Sequence, residues 1–431
     1  MELAGINSRN IANGLYIINQ YPKYLQSQYF SAEKIKLIQL KKLEAIVRVA
    51  INTVPYYKAL NVKINFNNFS QQELLKFPII TKAIIRDNYN SFISEKYFNK
   101  KLQYKSTSGS SGQPFKVPKP FYSDGIEQCM MFRAWSMNPA FKYSFHKPCI
   151  VLRSFSPKQG EPPYKVDKIL NYWYLSPFDI NQQNLETYVQ FIKKSKAQLL
   201  RGYPSSIYIL TLLLKENNIK LPQIKTLFTS SENLLPNYRK VIEDYWQMPL
   251  IDWYGQNERT VTVQMCEHGN YHNNDEYGIV ELDENNQIIA TSLNNNIMPL
   301  IRYATNDIAI PAINPSCNCG RGLSIPFSGI DGRADDLLIK EDNTIIATVN
   351  IYNAMEKFPD VKQFKIIQQK DKSLELYLSE NTKLSPEYIC NIEKELKQRL
   401  GNVRIITKVV EEIERNKNTE KIKSIESHIK L

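Results

Sequence analysis

Short apolar stretches alternate with helical segments over residues 105 to 330, and this alternation constrains the fold more than any other feature of the sequence. The stretches are CIVLRSF at 149–155, AQLLRGY at 197–203, Ile207–Leu214, IKTLFTS at 224–230 and MPLIDWY at 248–254. Strand-like runs that alternate with helices form a sheet with helices layered against it. We therefore expect an α/β fold with layered sheets and helices.

The first hundred residues have a mostly helical pattern. Ala32–Val49 carries apolar residues at approximately helical spacing. Pro55 then interrupts the pattern, because proline ends a helix and biases the preceding residue away from helical angles. The stretch Pro78–Lys82 leads into another predicted helix.

The last hundred residues predict a small α+β domain of their own. Thr344–Val349 is predicted to be a strand, Ile351–Phe358 a short helix, and residues 364–378 a hairpin with alternating apolar positions. Ser385 is a suitable N-cap for the next helix, and Gly401 a suitable stop before a strand at Val403–Val409. We expect a large N-terminal domain over residues 1–334 and a small mobile domain over 335–431.

Composition excludes several classes of protein. The 431 residues carry a formal net charge of +12, but Lys and Arg are spread along the chain rather than gathered in one arm or face. No apolar run is long enough to span a bilayer, and the start MELAGINSRN lacks the features of an export signal. We expect a cytoplasmic protein without a nucleic-acid or membrane partner, and a homodimer stays open.

A hydroxyl-rich and glycine-rich stretch precedes Pro114. It packs five hydroxyl residues and two glycines into eight positions. Its central residues are Thr107, Ser108, Gly109, Ser110, Ser111 and Gly112. Such a loop can present converging N–H and O–H donors to phosphate, although a flexible linker has the same composition.

Cysteine and histidine concentrate in two short stretches. One runs from Cys266 through His268 to His272, and the other contains Cys317 and Cys319. Three thiolates and one imidazole are a common tetrahedral zinc set. We predict Cys266, His272, Cys317 and Cys319 as ligands of a structural zinc ion, with His268 in reserve; coincidental free thiols are the alternative.

Five further motifs follow the hydroxyl-rich loop in a fixed order. They are Thr229–Asn233, Asp252–Glu258, Met298–Asp307, Gly332–Asp336 and Asn418–Lys421. At these residues the sequence resembles the adenylate-forming superfamily, and more narrowly its phenylacetate–CoA ligase branch, including the capsule-biosynthesis CapK-like proteins. Val54–Tyr57 and Phe77–Lys82 resemble the N-terminal region of that branch, so the resemblance covers nearly the whole chain.

The resemblance implies an ATP-dependent, AMP-forming ligase that joins a carboxylic acid to coenzyme A through an acyl-adenylate. An amine acceptor, giving an amide, is the alternative, and a non-catalytic nucleotide-binding homologue is a remote one. The acid pocket is expected around residues 122–135, 201–206 and 229–255.

The resemblance also assigns roles to individual residues. The loop Thr107–Gly112 would hold the ATP phosphates, and Glu258 would bind Mg²⁺. The base would stack on Tyr254 and be bordered by Ser231 and Glu232. Asp307 would accept hydrogen bonds from the ribose hydroxyls, and Arg333 would be a second contact to the ribose or a phosphate. Asp335 would be the hinge residue, and Lys421 would catalyse adenylation.

Two positions depart from the pattern of the family. Asn306 stands where glycine usually precedes the ribose-binding carboxylate, and Glu420 stands where glycine usually precedes the catalytic lysine. Each substitution raises the question of whether activity is reduced.

Overall fold

A computed structural model describes residues 8–106, 116–144, 146–158, 160–313, 315–330, 338–346, 349–355, 357–380, 384–411, 413 and 424–429. The described residues form two compact units. The first unit comprises residues before 107, from 116 to 143 and from 251 to 330. The second comprises residues 144 to 250 and those from 338 onward.

The α-helices of the described residues are α1 (Ser8–Ser27), α2 (Ala32–Thr53), α3 (Pro55–Ala59), α4 (Lys82–Asp87), α5 (Ser123–Trp135), α6 (Leu185–Ser195), α7 (Pro204–Glu216), α8 (Pro236–Trp246), α9 (Val349–Met355) and α10 (Pro386–Leu400). Three short 3₁₀ turns cover Gln71–Lys76, Tyr89–Phe92 and Glu95–Tyr97. None of the helices seen in these ranges has the length and apolar character needed to cross a membrane.

The strands are β1 (Tyr104–Ser106), β2 (Lys116–Pro118), β3 (Cys149–Leu152), β4 (Tyr164–Asp167), β5 (Tyr172–Leu175), β6 (Leu199–Gly202), β7 (Thr226–Ser230), β8 (Leu250–Gly255), β9 (Thr262–Met265), β10 (Tyr271–Asn273), β11 (Gly278–Leu282), β12 (Gln287–Ser292), β13 (Tyr303–Pro311), β14 (Phe327–Ile330), β15 (Leu338–Ile339), β16 (Ile345–Ile346), β17 (Val361–Gln368), β18 (Leu374–Glu380), β19 (Ile405–Val410) and β20 (Ile425–Ser427).

The first unit contains an antiparallel sheet in the order β11-β12-β13-β14-β10-β9-β8. Helix α2 begins at the cap Ser31, whose hydroxyl accepts a hydrogen bond from the Lys34 N–H. Its buried face, with Leu43 and Val47, joins one core with Tyr57 and Tyr303. The antiparallel pair β1 and β2 also belongs to this unit and flanks residues 107–115.

The second unit contains the strand order β7-β6-β3-β5-β4, with parallel pairing from β7 to β5 and an antiparallel edge strand. Helices α6, α7 and α8 cover the apolar face of this sheet. The strand-like reading of Ile207–Leu214 is wrong, because this segment lies inside α7. Pro204 begins that helix, and Ile207, Leu210 and Leu214 share its buried face at helical spacing.

The C-terminal part of the second unit has a four-stranded sheet in the order β19-β18-β17-β20. The predicted hairpin is confirmed as β17 and β18, and Ser385 caps α10 by accepting from the Tyr388 N–H. Gly401 ends α10 with φ of 85°.

The prediction for residues 344–358 is only partly correct. Among the described residues of this segment the strand is β16, which pairs with β15, and α9 begins already at Val349. The sheet is completed instead by β20, which pairs in parallel with β17. The α/β class and the small C-terminal α+β part are confirmed, while the expected boundary at residue 334 lies outside the described residues and stays a prediction.

Candidate functional site

Two residues assigned to the nucleotide contact each other in the first unit. Tyr254, near the end of β8, donates a 2.8 Å hydrogen bond from its hydroxyl to Oδ2 of Asp307 in β13. The Gln256 amide donates to the same hydroxyl at 3.0 Å. Burial, together with the neighbouring Asp307 charge, raises the pKa of Tyr254 well above its usual value, so the phenol stays a donor.

Asn306 adopts the left-handed backbone region that the family's usual glycine would suit. Its φ is 66°, and its Oδ1 accepts a 3.1 Å hydrogen bond from the Gln287 amide. Asparagine tolerates this region better than most residues with a side chain. The departure from the family pattern therefore keeps the backbone turn that precedes Asp307.

Glu258 is a buried carboxylate with two donors. Its Oε1 accepts a 2.8 Å hydrogen bond from the Tyr303 hydroxyl and lies 3.3 Å from Nζ of Lys82. Burial, followed by the adjacent Glu258 charge, raises the pKa of Tyr303 well above its usual value. A buried carboxylate of this kind is a suitable ligand for Mg²⁺, which takes carboxylate and phosphate oxygens.

A small pocket includes Glu258 in its wall. Lys105, Ser123, Asn257 and Arg259 line it as well. Lys105 lies in β1, directly ahead of the residues expected to hold phosphate, and burial lowers the pKa of its ammonium group. Sequence reasoning did not select Lys105, although its position beside the hydroxyl-rich stretch was a signal that could have found it.

Ser231 and Glu232 lie in the second unit, where β7 ends. Ser231 has a positive φ of 73°, and its hydroxyl accepts a 2.9 Å hydrogen bond from the Arg153 guanidinium. Oε2 of Glu232 accepts a 2.6 Å hydrogen bond from the Ser205 hydroxyl and one of 3.2 Å from the Ser205 N–H. These contacts fix the loop whose backbone was assigned to the border of the base.

The four predicted zinc ligands come together in the first unit. The ligand atoms of Cys266, His272, Cys317 and Cys319 all lie within 4.8 Å of one another. Sγ of Cys266 is 3.6 Å from Sγ of Cys317, and Sγ of Cys319 is 3.4 Å from Nε2 of His272. Tetrahedral zinc would separate two thiolate sulfurs by about 3.8 Å and a sulfur from an imidazole nitrogen by about 3.6 Å. The donor set therefore fits zinc in chemistry and in spacing.

The surroundings of this cluster suit a metal ligand set. Nδ1 of His272 lies 3.2 Å from the Leu323 carbonyl, and a hydrogen bond there leaves Nε2 toward the sulfurs. Burial lowers the pKa of His272, which favours the neutral imidazole that binds metals. Asn270 donates to Sγ of Cys317 at 3.3 Å. His268, the reserve ligand, is absent from this cluster of described residues.

The other predicted site residues lie outside the described residues. They are Thr107, Ser108, Gly109, Ser110, Ser111, Gly112, Arg333, Asp335 and Lys421. Their assigned roles stay predictions.

Comparison with solved structures shows that the chain has the fold of the adenylate-forming ligases, as the motifs predicted. A structure of 2-hydroxyisobutyryl-CoA ligase in complex with 2-HIB-AMP and CoA in the thioesterification state matches with a TM-score of 0.59. The sequences are 16% identical, and the match covers 94% of this chain and 92% of that one. An open conformation of the same ligase matches with a TM-score of 0.55 over 90% and 91% of the two chains.

Among curated proteins, Protein CapK of Staphylococcus aureus is 25% identical over 355 residues, which are 78% of this chain and 77% of that protein. No protein-family model matches the sequence.

Proposed function

We propose that the chain is an ATP-dependent, AMP-forming carboxylate ligase that transfers its acyl group to coenzyme A. The observation that carries this proposal is the Tyr254–Asp307 contact, in the same unit as the buried Glu258 carboxylate. By the resemblance the Tyr254 ring would stack on the base, the Asp307 carboxylate would bind the ribose and Glu258 would hold Mg²⁺, so their presence in one unit supports an ATP site. Support also comes from the 2-hydroxyisobutyryl-CoA ligase complexes that contain 2-HIB-AMP and, in two structures, CoA.

In the first step a carboxylate oxygen of the acid attacks the α-phosphorus of ATP. A new phosphorus–oxygen bond forms, the bond from the α-phosphorus to the bridging oxygen breaks, and pyrophosphate leaves with the bonding electron pair. The reaction brings two anions together, so fixed donors and cations must stabilise the charge that accumulates. Lys421 is the cation that we assign to the α-phosphate.

Glu258 would hold Mg²⁺, and the ion would neutralise phosphate charge as pyrophosphate departs. In this chain Tyr303 orients the carboxylate through its 2.8 Å hydrogen bond. Lys82 neutralises the same carboxylate in the free protein through the 3.3 Å contact. Both side chains lie in the first unit with Glu258, so the carboxylate is held in place before nucleotide binds.

In the second step the CoA thiolate attacks the acyl carbonyl carbon, the carbon–oxygen bond to AMP breaks, and AMP leaves as the phosphate anion. An amine in place of the thiolate would give an amide by the same substitution. The 2-hydroxyisobutyryl-CoA ligase complexes that contain CoA favour the thiol acceptor.

We assign the Cys266, His272, Cys317 and Cys319 cluster to a structural zinc ion. All four protein ligands are supplied by the chain, which is typical of closed structural sites rather than catalytic ones. The ion would join the turn after β9, strand β10 and the segment before β14.

Acid-dependent exchange of labelled pyrophosphate into ATP tests the adenylation step. We expect exchange with at least one member of a panel of aromatic, fatty, hydroxy and amino acids. A second assay with CoA or with amines, followed by mass spectrometry of the product, identifies the acceptor. ATP binding without exchange for any acid would favour the non-catalytic homologue and overturn the proposal.

A further inference from the structure

The two faces of the parallel sheet in the second unit differ in chemistry. Ile150, Leu200 and Leu227 lie on one face and belong to the core formed with α6, α7 and α8. Residues one position away point to the opposite face, because side chains alternate along a strand. That opposite face carries cations, aromatic rings and a carboxylate, that of Asp167, which pairs in register with Tyr172.

The strand register defines this cationic face. Arg201 in β6 pairs with Val151 in β3, Val151 pairs with Tyr174 in β5, and Tyr174 pairs with Lys165 in β4. Residues paired in register point to the same side of a sheet. Arg153 follows Val151 by two positions, where β3 has just ended. Two guanidinium groups and one ammonium group are thus placed along one face of four neighbouring strands.

Aromatic rings lie beside each cation. The Arg153 guanidinium carbon is 5.0 Å from the Tyr203 ring centroid, and that of Arg201 is 5.7 Å from the Tyr172 centroid. Nζ of Lys165 lies 4.8 Å from the Phe155 ring. Rings at these distances attract the cations, but they bring no negative charge.

Arg153 keeps its charge available for an anion. Its guanidinium donates to the neutral hydroxyls of Ser230 and Ser231 at 2.5 and 2.9 Å, and it forms no ion pair with any residue in the described part of the chain. Glu232, the carboxylate that follows, accepts two hydrogen bonds from Ser205, and its charge also attracts the Arg153 guanidinium without forming an ion pair with it. Burial lowers the pKa of Arg153, which means that burial disfavours its charged form, and a bound anion would offset this effect.

We propose that Arg153 is the specificity-determining residue of this enzyme and selects acids that carry a second oxyanion, a carboxylate or a phosphate, beyond the carboxylate that is activated. The proposal rests on the proposed function, because it names the substrate class of the same reaction. It also depends on position: Arg153 contacts Ser231, which belongs to the loop assigned to the nucleotide. A planar guanidinium binds such oxyanions through two parallel hydrogen bonds.

The test compares acids of equal size in the pyrophosphate-exchange assay with the full-length protein. Each set has one carbon skeleton whose far end is a carboxylate, a phosphate, a carboxamide or a methyl group. For the wild type we expect kcat/KM at least about 10-fold higher for the doubly charged acids, since charge-assisted pairing with arginine discriminates strongly against neutral groups. Comparison of the acids that end in a carboxylate with those that end in a phosphate shows which of the two oxyanions the enzyme prefers.

Arg153→Gln should bring the ratio of kcat/KM between charged and neutral acids close to one, and Arg153→Lys should restore part of the preference. Arg239→Gln is the matched control, because Arg239 is a half-exposed surface residue of α8 that pairs with Glu243. A merely structural arginine would lower activity with all acids equally, and this result would overturn the inference. A higher KM for ATP in Arg153→Gln with an unchanged ratio between charged and neutral acids would also overturn it and would place Arg153 at the nucleotide.

The failure of this inference can be told apart from the failure of the proposed function. Wild-type exchange that is as fast with neutral acids as with charged ones overturns the role of Arg153 alone. Absence of exchange with every acid, despite ATP binding, overturns the ligase function and this inference together.

Discussion

The hydroxyl of Tyr254 is 2.8 Å from Oδ2 of Asp307, although 52 residues separate the two in the chain. The bond joins the end of β8 to the middle of β13. It orients the carboxylate with a donor that burial and the Asp307 charge keep protonated. The residue expected to stack on the base therefore also positions the residue expected to bind the ribose.

Tyr254→Phe should separate these two roles, because it keeps the ring and removes the hydroxyl. We expect the KM for ATP to rise about 10-fold, which corresponds to roughly 1.4 kcal/mol and is typical of a lost hydrogen bond to a charged group. Asp307→Asn should raise the KM for ATP more, to about 100-fold above the wild type, since the charged acceptor itself is lost. Steady-state kinetics at saturating acid measures both changes.

The double variant of Tyr254 and Asp307 provides the control. If the phenol acts through the carboxylate, the two effects will not add, and the double variant will resemble Asp307→Asn. Additive effects, or a normal KM for ATP in Tyr254→Phe, would contradict the positioning role.

Glu258→Gln should abolish pyrophosphate exchange, with a loss of about 1,000-fold or more, because the amide cannot neutralise a metal ion that stabilises departing charge. Glutamine can still accept the hydrogen bond from Tyr303, so we expect the fold to persist. Circular dichroism measures whether the fold persists, and a titration of activity with Mg²⁺ measures whether the metal-dependent exchange is lost. Glu44→Gln is the control, because Glu44 forms an exposed ion pair with Arg48 that contributes little. Exchange above one tenth of the wild-type rate in Glu258→Gln would contradict the proposed role of Glu258 in adenylation.

The sequence predicted elements whose signals are local. The cap Ser385, the stop Gly401 and the alternating hairpin residues each act within a few positions, and the structure has all three. The strand-like reading of Ile207–Leu214 was wrong because a short apolar run does not by itself distinguish a buried strand from a buried helix segment. Pro204, which begins the helix, is the signal that separates the two.

The sequence could not predict which side chains contact each other within the site. Lys82 and Tyr303 contact Glu258 from 176 and 45 positions away. Both lie in stretches that carry the resemblance, Phe77–Lys82 and Met298–Asp307, but the resemblance assigned a role to neither residue. The clustering of Cys266, His272, Cys317 and Cys319 was predictable, since cysteine and histidine are rare in this chain and their chemistry restricts what they can form together. Tertiary contacts between common residues carry no comparable signal.

Zinc should copurify with the protein at about one equivalent per chain, as expected for one tetrahedral site. Cys317→Ser should remove the metal and lower the melting temperature by roughly 5–10 °C, because a metal bound only to the folded state contributes several kcal/mol of stability. Inductively coupled plasma mass spectrometry and calorimetry measure the two effects. Cys390→Ser is the control, because Cys390 is an exposed thiol outside the cluster. A metal-free wild type with the same melting temperature after zinc is added would refute the assignment.

Lys421→Ala should slow acyl-AMP formation by about 100-fold or more, since the attack on the α-phosphate needs a cation where negative charge accumulates. The second half-reaction, started from synthetic acyl-AMP, should be nearly unaffected. Lys417→Ala and Lys423→Ala are neighbouring controls that we expect to be mild in both assays. Loss of adenylation in Lys417→Ala instead would show that the register of the C-terminal motif is shifted by four positions.

Asn306→Gly tests whether the departure from the family pattern affects function. Asn306 already has φ of 66°, which glycine also adopts, so the turn before Asp307 should be preserved. We expect the KM for ATP to change less than twofold, with a small loss of stability from the lost Gln287 hydrogen bond and the greater freedom of glycine in the unfolded chain. Asn306→Val should behave differently, because a β-branched residue at this φ is strained by about 1–3 kcal/mol. The strain should lower the melting temperature and raise the KM for ATP together, since the strained residue adjoins Asp307. Calorimetry and steady-state kinetics on both variants measure these effects; equal behaviour of the glycine and valine variants would mean that the backbone conformation at 306 does not position the carboxylate.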